Sequence, residues 1–227
     1  MKKLTIEMIV DLNCSWCPIG YRYITQAMEN LNLPTENVDF KFLPFQLNPH
    51  MHYEGVLIST HLKKVTGKND VQLKAYRDNL LAIAEKCNFV INFNNRTHYY
   101  NTLFGHKLIH IAETRQLQRE VYEILCIEYY KYGKRFTDKD VIRRVSSELE
   151  LSISQLLESL EQESLEHEVL KKENYVKSLS IDSVPAFLLN RTNLIKGSSS
   201  IEILESIIQA LLTDSQTNNH QPVINII

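Results

Sequence analysis

The chain has 227 residues, a formal net charge of −2, 44% hydrophobic and 23% charged residues. That is an ordinary globular composition, and so small a net charge suggests neither a nucleic acid nor an anionic membrane as partner. No apolar run approaches the roughly 18 residues needed to cross a bilayer, and six Gly and six Pro are few for the length, which favours long helices.

Met1-Lys2-Lys3 looks like the start of a signal peptide. The apolar stretch behind it contains Glu7 and Asp11 and lacks a small-residue cleavage site, so it reads as the first strand of the mature fold. A cytoplasmic location is expected, unless a leader was removed ahead of this numbering. Four cysteines in such a protein do not make a disulfide scaffold and are expected to be reduced at rest.

Leu4–Val10 is rich in β-formers and only partly alternating, which predicts a strand. Ile19, Tyr23, Ala27 and Leu31 recur at helical spacing, and Pro34 ends that helix. Between strand and helix stands Cys14-Ser15-Trp16-Cys17. A helix start offers unpaired N–H groups and the positive end of the dipole, which favour an anion such as a thiolate. Cys14 can then attack, and Cys17, about one turn on, can resolve the mixed disulfide. A CxxC can also be half of a zinc site, but Cys87 and Cys126 are far apart and supply no second pair. A structural or chance CxxC is the third alternative.

Val38–Leu43 alternates and reads as a second strand, closed by Pro44. Residues 4–44 then form a βαβ unit with parallel strands and a right-handed crossover. Phe45–Met51 should leave at the sheet edge that carries the CxxC, where ligands gather in open α/β sheets, although an ordinary connecting loop is as good a reading. Residues 56–180 contain no proline and only Gly67, Gly105 and Gly133. Helical spacing there covers Leu57–Thr66, Asp70–Cys87, Tyr100–Thr114, Gln116–Tyr132, Asp138–Leu149 and Ser152 to about Ser178. Asn-rich sequence across Lys86–His98 should link two of these helices. Thr137-Asp138 and Ser152–Gln155 are candidate caps. Ala186–Asn190 and Asn193–Gly197 then read as a hairpin, and Ile201–Leu212 as an amphipathic helix capped from Ser198–Ser200. The polar tail ends in Val223–Ile227, where a docked strand would bear on oligomer formation.

A βαβ unit and a ββα unit, with CxxC after the first strand, make a thioredoxin fold; the all-helical insertion makes it DsbA-like. The α/β chain therefore divides into 1–52 (N-terminal βαβ), 53–179 (helical insertion), 180–213 (C-terminal ββα) and 214–227 (tail). In thioredoxin folds a cis-proline precedes the third strand and faces the CxxC, and Val184-Pro185 stands at that place. Val184 would present its backbone N–H and C=O to an incoming chain. A trans proline that merely starts an edge strand is the alternative.

Five blocks carry a more specific resemblance. Asp11-Leu12-Asn13-Cys14-Ser15-Trp16-Cys17-Pro18-Ile19-Gly20 resembles the active-site stretch of the FrnE-like branch of the DsbA family. Pro44-Phe45-Gln46-Leu47-Asn48-Pro49, Asn101-Thr102 with His106-Lys107-Leu108, Tyr129–Gly133 and Val184-Pro185-Ala186-Phe187 resemble further blocks of that family, in its order. Ser15 replaces the proline most common after the first cysteine, Gly105 stands where the family has Ala, and Cys87-Asn88 where it often has Gly. The resemblance implies a thiol–disulfide oxidoreductase, an enzyme, with Cys14 as nucleophile, Cys17 as resolving thiol and Pro185 with the Val184 backbone positioning the partner. Trp16 would cover the sulfurs and meet substrate. Asn48, Asn101 and His106 are expected on the family's pattern to line the substrate cleft. The cofactor is the redox-active disulfide itself, with glutathione as a candidate co-substrate. Partners would be protein thiols and disulfides or glutathione; a homodimer stays open. His106 and His110, spaced i and i+4, could bind a metal or face inward, and with no third ligand evident no metal is expected. Cys87 and Cys126 are expected to be core thiols rather than a second redox pair. The related 2-hydroxychromene-2-carboxylate isomerases and kappa-type glutathione transferases, which carry serine at the first cysteine, give the alternative function. A non-catalytic chaperone-like binder is another.

Overall fold

The structure is a computed structural model that describes residues 3–52 and 54–217. It contains two compact units: Met1–Phe45 with Glu173–Ile227, and Gln46–Lys172. The expected tail strand Val223–Ile227 lies outside the described residues.

The first unit is built on a four-stranded sheet in the order β2-β1-β5-β6. Strand β1 (Leu4–Val10) pairs parallel with β2 (Val38–Pro44) and antiparallel with β5 (Ala186–Leu189), which pairs antiparallel with β6 (Asn193–Lys196). Helix α1 (Trp16–Asn30) crosses from β1 to β2, and α9 (Ile201–Thr217) packs beside it. This is the βαβ plus ββα thioredoxin arrangement, and the mixed sheet with its helices is the α/β fold that the pattern predicts.

Strand β1 is central and buried on both faces, which explains its incomplete alternation. Met8 lies in register with Phe42 and Phe187, on the side where Tyr21 of α1 packs edge-on and tilted against Phe40 and Phe42. Ile9 lies in register with Leu43 and Ala186, in a core that includes Val176 and Ile181. Glu7 is the buried exception within the strand, and Arg191 Nε lies 3.5 Å from its carboxylate.

The second unit carries a two-residue ladder between β3 (Val56–Leu57) and β4 (His98–Tyr99), with α2 (Ile58–Thr66), α3 (Asp70–Lys86), α4 (Leu103–Glu113), α5 (Gln118–Cys126), α6 (Lys139–Glu148), α7 (Ile153–Glu161) and most of α8 (Glu163–Ser178). Asn69 with Gln72 and Ser152 with Gln155 close reciprocal capping boxes on α3 and α7. Asp138 stands at the cap of α6, but its carboxylate accepts from the Arg135 N–H instead of from the helix. Leu57 falls within an expected helix and His98 within the expected link; the sequence pattern shows no pairing there because two residues per strand are too few to alternate.

Two expected single helices are each divided. The Ser152–Ser178 stretch breaks at Gln162, which is extended at φ −67 and ψ 122. Leu160 and Val169 are both buried, yet nine residues of an uninterrupted α-helix would turn them to opposite sides. The break resets the phase, and Glu163 and Glu166 then sit in the first turn of α8, where the dipole favours them. The Gln116–Tyr132 stretch becomes α5 followed by a π-helical turn over Ile127–Lys131. That wider turn buries Glu128, Tyr129 and Tyr130 consecutively.

Arg96 holds the second unit's interior together. It is 1% exposed, and its guanidinium lies 4.4 Å from the Tyr130 ring centroid, 4.7 Å from Tyr129 and 5.3 Å from Tyr99. Burial works against its charge, but the surrounding tyrosines outweigh it, so the proton is held more firmly than usual. Among the described residues no helix is long and apolar enough to cross a membrane.

Candidate active site

Strand β1 delivers the CxxC to the C-terminal edge of the sheet. The Asp11 side chain is fully buried and accepts the Asn13 N–H at 3.0 Å. The Cys14 N–H donates to the Asp11 carbonyl at 3.0 Å, and the Cys17 N–H to the Cys14 carbonyl at 3.0 Å. These bonds turn the chain from strand into α1, whose N-cap is Ser15 in helical backbone geometry without a side-chain cap. Cys14 therefore stands one residue ahead of the N-cap, between strand and helix.

The two sulfurs are unequal. Cys14 is 9% exposed and Cys17 is 0% exposed. The Cys14 Sγ–H donates to the Val184 carbonyl at 3.3 Å. Burial, then the hydrogen bond and charge of Cys14, push the Cys17 thiol well above its ordinary range; a backbone hydrogen bond from Asp11 works the other way, and the Asp11 charge adds to the rise. So Cys17 keeps its proton under ordinary conditions. Neither is in a disulfide here, nor are Cys87 and Cys126.

The Val184–Pro185 peptide is cis. Pro185 is buried and Val184 half-buried. The Pro185 carbonyl accepts the Gly197 N–H at 2.8 Å, which ties this loop to the end of β6. On the other side it meets Gly20 of α1, where a Cβ would lie 3.0 Å from Pro185 Cγ and 3.3 Å from Phe187 Cζ. Cys14, Cys17, Val184 and Pro185 thus come together within one unit, with half-buried Trp16 opening the helix between the cysteines.

Asn48, Asn101 and His106 lie in the second unit. The Asn101 amide donates to the carbonyls of Pro49 at 3.2 Å and Met51 at 3.5 Å, and its oxygen accepts the Leu103 N–H at 3.0 Å. Its polar atoms are engaged by the chain's own backbone, so it clasps the loop that carries half-buried Asn48 and starts α4. Asn48 itself uses its carbonyl to accept the Met51 N–H. His106 is 3% exposed on α4. His110, one turn on, is half-buried, and its Nδ1 lies 3.9 Å from Glu113, which also meets Lys172. Burial and then the Lys172 charge lower its proton affinity. Among the described residues no group of three or more His, Cys, Asp or Glu side chains could hold a metal ion. Cys126 is buried; Cys87 is half-buried at the end of α3, its thiol donating to the Ala84 carbonyl at 3.3 Å.

Two residues of this site escape a reading of the motif alone. Asp11 counts there only as a matched letter, although an acid three residues before a CxxC is the signal that would have marked it. Gly20 has a plainer one: a glycine inside a helix costs stability and needs a reason.

Comparison with known proteins agrees with this fold. The sequence profile of a family described as DSBA-like thioredoxin domain matches residues 5–209. No curated protein matches the chain. Among solved structures, a probable DsbA oxidoreductase from Streptomyces coelicolor superposes with a TM-score of 0.82 at 20% identity, covering 99% of this chain and 94% of that one. The cytosolic disulfide reductase DsbM from Pseudomonas aeruginosa, solved with GSH, gives 0.63 at 13% identity, covering 92% and 99%. A 2-hydroxychromene-2-carboxylate isomerase gives 0.65 at 12% identity, covering 95% and 100%. At such identities the likeness is one of fold.

Proposed function

The chain belongs to the DsbA-like thioredoxin domain family, and we propose that it is a thiol–disulfide oxidoreductase working through Cys14 and Cys17. The observation that carries this is the asymmetric pair beside the Val184-Pro185 loop: a slightly exposed Cys14 bonded to the Val184 carbonyl, and a fully buried Cys17 one turn behind it.

In the oxidising direction a partner thiolate attacks Cys14 Sγ of the Cys14–Cys17 disulfide. The S–S bond breaks, Cys17 leaves as a thiolate and takes a proton, and a mixed disulfide forms at Cys14. The partner's second thiolate then attacks its own sulfur in that bond and releases Cys14. Two electrons pass from the partner dithiol to the protein, and the partner leaves as a disulfide. Reduction of a partner is the same path reversed. Cys17 attacks only after losing a proton that burial holds on it. The Asp11 backbone, hydrogen-bonded to Cys17, favours the charged sulfur as that proton leaves.

Protein thiols are one partner class. Glutathione is the other, and the GSH-bound DsbM neighbour supports it; that protein, a cytosolic disulfide reductase, also supports a cytoplasmic location. The isomerase neighbour keeps glutathione-dependent isomerisation as the alternative.

The test is trapping. With native disulfide-linked insulin or glutathione disulfide as partner, Cys17→Ser should accumulate a mixed disulfide at Cys14, and Cys14→Ser should form none and lose exchange activity. A glutathione redox titration followed by fluorescence of Trp16, the chain's one tryptophan, should show a reversible two-electron transition. Absence of both trapping and transition overturns the oxidoreductase and leaves isomerisation to be assayed.

A further inference from the structure

Two surfaces of the second unit carry opposite charge. The first is the turn between α2 and α3. Residues 63–72 are all exposed, across the end of one helix and the start of the next. They hold three lysines and one aspartate. Lys63 is spent on Asp70 at 2.7 Å, while among the described residues Lys64 and Lys68 meet no carboxylate. Val65 and Val71 stand on either side of the turn, 59% and 78% exposed. Helix α3 behind it buries only Leu73, Leu80 and Ala84, a narrow stripe for its 17 residues.

The second surface runs from the end of α6 to the start of α8. Residues 148–163 hold five glutamates and no lysine, arginine, histidine or aspartate. Glu150, Glu158, Glu161 and Glu163 are exposed, and among the described residues none of these four meets a basic side chain. Ile153 and Leu157, 44% and 39% exposed, stand one turn apart on α7, away from its buried Leu156 and Leu160. Glu161 continues their face one turn further. Exposed apolar residues standing singly are ordinary. Here each pair of them lies among charges of one sign, and the sign on one surface is the opposite of that on the other. Such a pattern steers two surfaces together, sets their register and rejects like against like.

We propose that two copies of this chain pair through these surfaces, the α2–α3 turn of each seated on the α7 face of the other. The contact then occurs twice about a two-fold axis, as an isologous interface requires. Lys64 and Lys68 face the partner's Glu158 and the partner's Glu161. Val65 and Val71 leave water against the partner's Ile153 and the partner's Leu157. The charges that draw turn to face also keep turn from turn and face from face. The pairing uses neither Cys14 nor Cys17 and is independent of the exchange chemistry proposed above.

Sedimentation velocity of the full chain, in reductant so that no disulfide links two copies, tests this. At low salt the chain should form a dimer in a concentration-dependent way. At roughly 1 M salt, where charges are screened within about 3 Å, the dimer should weaken about tenfold. Lys64→Glu with Lys68→Glu should weaken it about tenfold or more at low salt, and so should Glu158→Lys with Glu161→Lys. The four reversed side chains are all exposed, so the fold tolerates them. Mixed together, the two reversed variants should form a one-to-one dimer again, because each offers the charge that the other lacks. Val65→Ser with Leu157→Ser should weaken the dimer at both salt concentrations. A chain that stays monomeric at every concentration overturns the proposal. So does a dimer that both reversals leave intact, and so do reversed variants that stay apart when mixed.

Discussion

Pro185 occupies the space that a side chain on Gly20 would need: a Cβ built there would lie 3.0 Å from the proline Cγ. Helix α1, which carries the CxxC, and the loop before β5 are therefore in contact across a position where only glycine fits without displacement. An alanine in an ordinary helix interior would add about 1 kcal/mol of stability over glycine. Here overpacking against a rigid ring should cost about 1–3 kcal/mol and outweigh it. Gly20→Ala is expected to lower the melting temperature slightly and to slow disulfide exchange by about tenfold, a displacement worth roughly 1.4 kcal/mol at the site. Differential scanning calorimetry and an insulin turbidity assay measure the two effects. A more stable variant with unaltered exchange would show that the contact does not set the loop.

Burial of Cys17 makes a prediction for the pH dependence of stability. Its folded-state pKa is raised, first by burial and then by Cys14, so at alkaline pH the unfolded chain loses this proton before the folded one. The folded state then binds more protons, and stability must fall as pH rises. The contribution is intact below the ordinary thiol range and is lost from about pH 9 upward, with a slope of up to about 1.4 kcal/mol per pH unit. Urea unfolding of the dithiol protein between pH 8 and pH 10.5 should show a steeper decline than that of Cys17→Ala. Parallel declines would mean that Cys17 ionises as freely folded as unfolded.

Arg96 should resist even a conservative exchange. Its planar guanidinium lies over several ring faces, the nearest Tyr130 and Tyr129. A lysine ammonium is a strongly hydrated point charge that cannot stack in the same way. Arg96→Lys is expected to cost about 3 kcal/mol, the scale of a poorly compensated buried charge. Chemical denaturation of the variant checks it, and a loss below about 0.5 kcal/mol, the ordinary surface range, would mean that the site is hydrated.

Asn101 offers a two-sided test. Asn101→Ala removes the donor to Pro49 and Met51 and the acceptor for Leu103. Asn101→Asp keeps the acceptor, adds a charge favourable at the α4 N-terminus, and sets a carboxylate against two carbonyl oxygens. Hydrogen exchange at the Met51 amide should quicken in both variants. Exchange at the Leu103 amide should quicken in Asn101→Ala alone. An unchanged Met51 amide in both would show that the loop holds itself, through the Asn48 carbonyl that this amide already meets.

Much of this fold is carried by local signals. The run from Leu4 to Val10, the CxxC and the helix behind it are adjacent in sequence, and so are Ala186–Leu189 and its hairpin partner; each is specified by periodicity and turn residues within a dozen positions. The placing of Cys14 and Cys17 about one turn apart belongs to this class, because it follows from their spacing alone. What the sequence left open depends on residues far apart. The break at Gln162 is forced by where Leu160 and Val169 must both be buried, and no cap residue announces it. The cage around Arg96 assembles from the 93–99 link and the Ile127–Lys131 turn. The carbonyl that the Cys14 sulfur meets comes from a residue 170 positions away, and the partner of Gly20 from the same loop. Local periodicity fixes which elements form, because each buries its own apolar face. Tertiary packing alone decides which polar atoms meet, because a hydrogen bond or a missing Cβ acts over a few ångströms, whatever the distance along the chain.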